Sequence, residues 1–298
     1  MHRSTIAAVA AVSIISLTQI ASAADLPSKA PAYVPPVPVA DWSGVYVGLE
    51  GGYGWGKQNS SFTLPGHCVN CDLEVNPTPW PEEVYYPDVA LPSVTQRGWL
   101  FGGFAGVQKQ WGSWVLGLEA DFDGADIKGS ETASTVSNLD RITIGGLGIL
   151  CVDVPGCIHL THDASIESKI DMLGSLRGKV GFVPAPNWLI YGTGGAAFAH
   201  LKNTVTSTEL SNVSDLASFS SQGSAGTSLF GWAAGGGVNW KWPVDAGSAW
   251  VFGVEYLHYQ FGDHTITITD NTGGSFAFNT TERVDTIKGR ISYLFSIH

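Results

Sequence analysis

The sequence predicts an all-β fold: an eight-stranded antiparallel transmembrane β-barrel with short turns at one end and long loops at the other. Three observations carry the prediction. Seven of the eleven tryptophans stand at strand ends. Trp111 and Trp114 bracket Gly112-Ser113, Trp188 follows the turn Val183 to Asn187, Trp240, Trp242 and Trp250 flank Pro243 to Ser248, and Trp42 opens the first strand. Between these marks run segments of alternating apolar and polar residues, each roughly 10 residues or more, the length a tilted strand needs to cross a bilayer. The connections also fall into two length classes. Amphipathic rings gathered at one end of such strands form the interfacial girdle of a membrane barrel, whereas a soluble sandwich would spread its aromatics along its strands.

Each strand follows from period-two patterning. The first, Trp42 to Trp55, sets Val45, Val47, Leu49, Tyr53 and Trp55 against Tyr46, Gly48 and Glu50. The second, about Thr95 to Gln110, places Trp99, Phe101, Ala105 and Val107 outward, with Leu100 and Phe104 blurring its phase. The third is the cleanest: Trp114, Leu116, Leu118, Ala120 and Phe122 alternate with Gly117, Glu119, Asp121 and Asp123. The fourth, about Glu167 to Phe182, is read with Ile170, Met172, Leu176, Val180 and Phe182 on the lipid side and Asp171, Ser175, Arg177 and Lys179 opposite. The fifth, Trp188 to Leu201, carries Gly194-Gly195, read as a kink or bulge. The sixth alternates Phe230, Trp232, Ala234, Val238, Trp240 and Trp242 with glycines, Asn239 and Lys241. The seventh, Ala249 to Phe261, offers Trp250, Phe252, Val254 and Tyr256 outward and Glu255 inward. The last, Val284 to His298, sets Ile287, Ile291, Tyr293 and Phe295 against Lys288, Arg290 and Ser292.

Connections after the second, fourth and sixth strands span only a few residues. Those after the first, third, fifth and seventh run over 57–94, 124–166, 202–227 and 262–283. Short periplasmic turns and long extracellular loops are the asymmetry of outer-membrane barrels, and an even strand number leaves both termini on the turn side.

The ends of the chain fit export. Residues 1–23 read as a signal peptide: His2-Arg3, a weakly apolar stretch Ile6 to Ile20, and the small residues Ala21-Ser22-Ala23. Residues 24–41 form a Pro-rich periplasmic arm, and 42–298 form the barrel. The charged fraction is only 14%, and the net charge of −11 argues against a nucleic-acid partner. Four cysteines make two close pairs, Cys68 with Cys71 and Cys151 with Cys157, read as local disulfides in an oxidising space. The alternatives are a soft metal site using His67, His159 and His162 with the thiols, and reactive or partly reduced thiols.

With these phases, Glu50, Glu119, Asp121, Asp171 and Glu255 face one lumen with Arg177, Lys179, Lys241, Lys288 and Arg290. An eight-stranded barrel has an interior that its own side chains can fill. Charge there is tolerable only when paired, so the set reads as a salt-bridge plug, or else as a narrow constriction for water and small ions. No nucleophile with an orienting partner accompanies the carboxylates, so no catalytic residue, cofactor or metal is assigned. Trp42, Trp111, Trp114, Trp188, Trp240, Trp242, Trp250 and Phe295 are assigned to the periplasmic aromatic girdle.

Several segments together resemble the small outer-membrane β-barrel proteins of alphaproteobacteria, porin-family or OmpA-type transmembrane barrels. They are Ala24-Asp25-Leu26-Pro27, Trp42-Ser43-Gly44-Val45-Tyr46-Val47-Gly48, Gly117-Leu118-Glu119-Ala120-Asp121-Phe122, Leu176-Arg177-Gly178-Lys179-Val180-Gly181, Tyr191-Gly192-Thr193-Gly194-Gly195-Ala196-Ala197 and Gly289-Arg290-Ile291-Ser292-Tyr293-Leu294-Phe295. The resemblance covers the barrel segments from about 42 to 295 and leaves the loops out. It implies an outer-membrane location and a non-enzymatic, structural role in the envelope, with small-solute porin or surface adhesin as alternatives. The implied partners are membrane lipid and lipopolysaccharide, the outer-membrane assembly machinery and, through the loops, a host or surface ligand; the barrel is expected to be a monomer. One departure stands out: Ser296-Ile297-His298 follow Phe295, where the family often ends on a terminal aromatic.

Overall fold

The computed structural model describes residues 41–60, 62–64, 68–69, 84–85, 88–138, 141–144, 147–150, 159–211, 219–245, 248–269, 271 and 275–295. The predicted leader, nearly all of the Pro-rich arm, Cys71, Cys151, Cys157 and the tail Ser296-Ile297-His298 lie outside them. Of the predicted disulfide partners only Cys68 is described, in a two-residue strand paired with Val84-Tyr85.

Eight long strands close on themselves: β1 (Gly44–Ser60), β2 (Val94–Trp111), β3 (Trp114–Asn138), β4 (His159–Ala185), β5 (Trp188–Ser211), β6 (Phe219–Asp245), β7 (Ser248–Thr269) and β8 (Ser275–Phe295). Every neighbouring pair is antiparallel, and β1 closes the ring by pairing β8 on one side and β2 on the other. Closure leaves no sheet edge, so the barrel ladder satisfies its own backbone donors and acceptors, as hydrocarbon demands.

The short turns fall where expected, but strand takes up part of two of them, through Val183–Ala185 and Pro243–Asp245. Gly112-Ser113 joins β2 to β3, and Gly112 takes φ +59°, a left-handed conformation that glycine adopts without a Cβ clash. Pro186-Asn187 joins β4 to β5. The expected bulge at Gly194-Gly195 does not occur: β5 pairs with β6 in unbroken register from Trp188 to Glu209.

The long connections are where the sequence reading is corrected. Much of what was read as loop is strand, because the barrel continues past the apolar band. Along β1 that band runs from Val45 to Trp55, ten steps of ~3.3 Å, which a tilt of ~40° reduces to a height of about 25 Å. Beyond it the exterior turns polar (Thr132, Ser134, Lys202) while the interior turns mainly apolar (Ile127, Ile166, Leu201, Val205, Ile266, Ile268). Inverted alternation of this kind is still a strand, but without an apolar exterior it read as loop.

A bulge in β4 supplies the second correction. Between Ile170 and Met172 the register against both neighbours slips by one residue. The slip swaps the faces of the strand. Ile170 therefore points inside and is fully buried, while Asp171 sits at the bulge itself.

Candidate functional site

The interior is filled in three layers. At the turn end, Trp42 is not part of the outer girdle. It is fully buried inside the mouth with Tyr46, Phe104, Val115, Leu189, Tyr191, Val251 and Leu294. Its parity explains the position, since 42 shares the inward phase of Tyr46 and Glu50. Gln110 Oε1 accepts from the Trp42 backbone N–H at 2.8 Å, and Gln108 Nε2 donates to the Trp42 carbonyl at 2.7 Å. Lys241 is buried here too, but it stands apart from the ionic network expected for it: its ammonium donates to the Asp41 carbonyl at 2.7 Å and lies over the Trp42 ring. The other girdle residues, Trp111, Trp114, Trp188, Trp240, Trp242, Trp250 and Phe295, are all exposed on the outside at the turn end.

The middle layer is ionic. Glu50 on β1, Glu119, Asp121 and Asp123 on β3, and Glu255 on β7 meet Arg177 and Lys179 on β4 and Lys288 and Arg290 on β8. Arg177 reaches Asp121 at 2.6 Å, Glu119 at 3.0 Å and Glu255 at 3.1 Å, all through one terminal nitrogen. Arg290 bridges Glu119 at 2.7 Å and Glu255 at 2.8 Å, with its Nε 2.9 Å from Glu50. Lys288 binds Glu50 at 2.8 Å and also Asp123. Lys179 has Glu119 at 2.7 Å as its carboxylate partner. Each of these side chains is essentially excluded from solvent.

Hydroxyls and rings complete the layer. Tyr46 donates to Glu119 at 2.8 Å and accepts from Lys179, Tyr191 donates to Glu255 at 2.9 Å, and Ser175 donates to Asp121 at 2.7 Å. The Lys179 ammonium sits 4.7 and 4.6 Å from the Tyr46 and Tyr191 ring centroids, and the Arg290 guanidinium lies 3.7 Å from that of Phe104. Glycines provide the room. A Cβ on Gly106 would stand 2.4 Å from the Tyr46 hydroxyl, and one on Gly237 would stand 2.6 Å from that of Tyr191.

Three changes separate this layer from the expected set, the first being Lys241, which lies in the layer below. Asp171 leaves it, because the bulge turns it outward to pair with Lys202 at 2.8 Å. Asp123, read on the inward face of the third strand but left out of the set, belongs to it. Its position two residues beyond Asp121 on an unbroken alternating run was the available signal. Glu50, Asp121 and Asp123 bring carboxylate oxygens within 4.8 Å of one another, a spacing that could suit a cation. The Lys288 ammonium already supplies that charge to Glu50 and Asp123. Of the histidines considered as metal ligands, His162 is buried with a ring nitrogen 2.8 Å from Ser207 Oγ.

The upper layer is mainly apolar, with a buried polar group inside it in which Gln96 Nε2 donates to Ser168 Oγ at 2.9 Å and to Glu282 Oε1 at 3.2 Å. Leu64, Val89 and Leu91, from a small hairpin of Phe62–Leu64 with Val89–Leu91, pack in one cluster with Ile127, Ile166, Ile170, Leu201, Ile266 and Val284 of the barrel wall. The base of the first long connection thus folds into the barrel opening. A cavity of about 10 Å³ remains at the lower end, lined by Trp42, Tyr46, Phe104, Lys179 and Arg290 among others, which is about the volume one water requires.

Comparison with known proteins gives one family match and several relatives. The family model described as "Outer membrane protein beta-barrel domain" matches residues 7–282. The 31 kDa outer-membrane immunogenic proteins of Brucella melitensis and Brucella suis are each 27% identical to the chain over 90% of its length and 89% of theirs. Among solved structures, the chain is similar to the attachment invasion locus protein Ail of Yersinia pestis (10% identity, 84% of this chain, 99% of that one, TM-score 0.29). It is also similar to OprG of Pseudomonas aeruginosa (13% identity, 86% and 97%, TM-score 0.32). These structural likenesses are low in score and fix nothing about activity.

Proposed function

The chain belongs to the outer-membrane β-barrel family and resides in the bacterial outer membrane, and from that premise we propose that it is a sealed structural barrel contributing to envelope integrity. The observation that carries this reading is the commitment of every lumen carboxylate of the ionic layer to a cation. Glu50, Glu119, Asp121, Asp123 and Glu255 each contact at least one of Arg177, Lys179, Lys288 and Arg290. A conducting or catalytic lumen needs charges that water or substrate can reach. Here Trp42 below and the Leu64–Val89–Leu91 cluster above stand between the ionic layer and solvent.

Buried ion pairs are costly to break because the partner left behind is neither hydrated nor paired. The network therefore favours one packed arrangement of the eight strands, which suits a wall element better than a gate. The same pairing supports a non-catalytic role. The test is solute entry into liposomes carrying the refolded full chain. Swelling in a monosaccharide solution no faster than in protein-free liposomes is the expected result, and swelling that rises with the amount of protein would replace this reading with the small-solute porin.

A further inference from the structure

The outer surface of the barrel carries an arc of cations that the ionic lumen does not use. Lys57 on β1, Arg97 on β2, Lys128 on β3, Lys169 on β4, Lys202 on β5 and Arg283 on β8 stand on six consecutive strands, at the level where the exterior changes from apolar to polar. Neighbours along the arc are directly opposed, apart from Lys57 and Arg97, which are offset by two residues. Arg97 faces Lys128, Lys128 faces Lys169, Lys169 faces Lys202, and Lys57 faces Arg283. In a chain of net charge −11, so much positive charge on one contour is not a by-product of a basic surface.

Like charges directly opposed on neighbouring strands are destabilising, so the row calls for counter-charge. One half has it: Asp126 binds Lys169 at 2.8 Å and Lys128 at 3.3 Å, and Asp171 binds Lys202 at 2.8 Å. The other half has none among the described residues. Lys57, Arg97 and Arg283 are exposed and make no ion pair there, and Asp285, two residues from Arg283 along β8, is engaged by Tyr256 and His258. Directly opposed residues such as Lys57 and Arg283 have Cβ atoms about 5 Å apart, and diagonal ones such as Lys57 and Arg97 about 7–8 Å. Side chains of this length on that spacing can converge on one phosphate. Trp55 faces Arg97 in register, and Trp99, two residues from Arg97, is 72% exposed; both mark the membrane interface just below.

We infer that Lys57, Arg97 and Arg283 form a binding site for the phosphate group of a phosphorylated glycolipid in the outer leaflet, its acyl chains lying against the band that includes Trp99, Phe101 and Leu49. The membrane source follows from placement: the three side chains project outward at the rim of the apolar band, neither into the lumen nor from the loop tips. Charge-assisted contacts to phosphate turn a repulsive cluster into a favourable one, and the forked guanidinium donors of the two arginines suit phosphate oxygens. The inference rests on the outer-membrane placement and not on whether the lumen conducts, so a leaky lumen would leave it standing.

The experiment titrates the refolded full chain in detergent with a diphosphorylated glycolipid such as lipid A and reads retained lipid by native mass spectrometry. The wild type is expected to hold the glycolipid at least tenfold more tightly than the triple variant Lys57→Gln, Arg97→Gln, Arg283→Gln. Lys109→Gln, exposed near the turn end, is expected to bind like the wild type. Arg97→Gln alone, expected to lose at least threefold, keeps the test decisive if the triple variant does not refold. Equal retention by the wild type and the substituted chains would overturn the site. Equal binding of the dephosphorylated glycolipid would do so as well, and competition by millimolar inorganic phosphate as strong as that by the lipid would show a soluble-anion site instead.

Discussion

Glu119 is the junction of the ionic layer, and its removal gives the sharpest prediction. Its Oε2 accepts from Lys179 at 2.7 Å and from Tyr46 at 2.8 Å, while its Oε1 takes Arg177 at 3.0 Å and Arg290 at 2.7 Å. In Glu119→Gln, Arg177 keeps Asp121 and Glu255, and Arg290 keeps Glu50 and Glu255. Lys179 keeps no carboxylate in contact, only the Tyr46 hydroxyl and two ring faces. An uncompensated buried cation of this kind costs about 3–5 kcal/mol. Lys179→Met should cost less, about 1–3 kcal/mol, because Glu119 retains two guanidinium partners. The double variant removes the stranded ammonium along with the carboxylate, so its cost should fall short of the sum by about 2 kcal/mol. The assay is urea unfolding from lipid vesicles, followed by tryptophan fluorescence and by heat-modifiable gel mobility. Additivity within about 0.5 kcal/mol would refute the argument that Lys179 depends on Glu119.

Two further predictions test the layers on either side of the barrel wall. Trp42→Ala empties the lower cork and should destabilise the barrel by about 3–5 kcal/mol in the same unfolding assay, since a fully buried ring is lost. Leu118→Arg places a charge on the outer face within the apolar band and should cost about 2–4 kcal/mol. Thr132→Arg, on the outer face of the same strand but beyond the basic arc, should change stability by no more than about 0.5 kcal/mol, and equal costs at the two positions would contradict the placement of the membrane on β3.

The membrane-crossing half of the fold was legible because its alternation has a strong contrast. Leu116, Leu118 and Phe122 against Glu119, Asp121 and Asp123 leave one assignment of faces, and Arg177, Lys179, Lys288, Arg290 and Glu255 follow by parity. The sequence reading failed where the contrast changes sign or phase. Past the apolar band the strands keep their period while apolar residues move inside, so Ile166, Val205 and Ile268 looked like loop. The bulge at Asp171 has no glycine or proline to announce it, and one inserted residue was enough to misplace both Asp171 and Ile170. Trp42 went wrong for another reason: its indole type suggested a girdle, although counting back from Tyr46 puts it inside. Residue identity misled there, and parity would not have.

The central claim is a lumen closed by its own side chains at three levels. Single-channel recording of the refolded full chain in a planar bilayer tests it most directly. No steady conductance step should accompany insertion, even in concentrated monovalent salt. A reproducible open level in the wild type would mean that the Trp42, Glu119 and Leu64 layers do not seal the barrel.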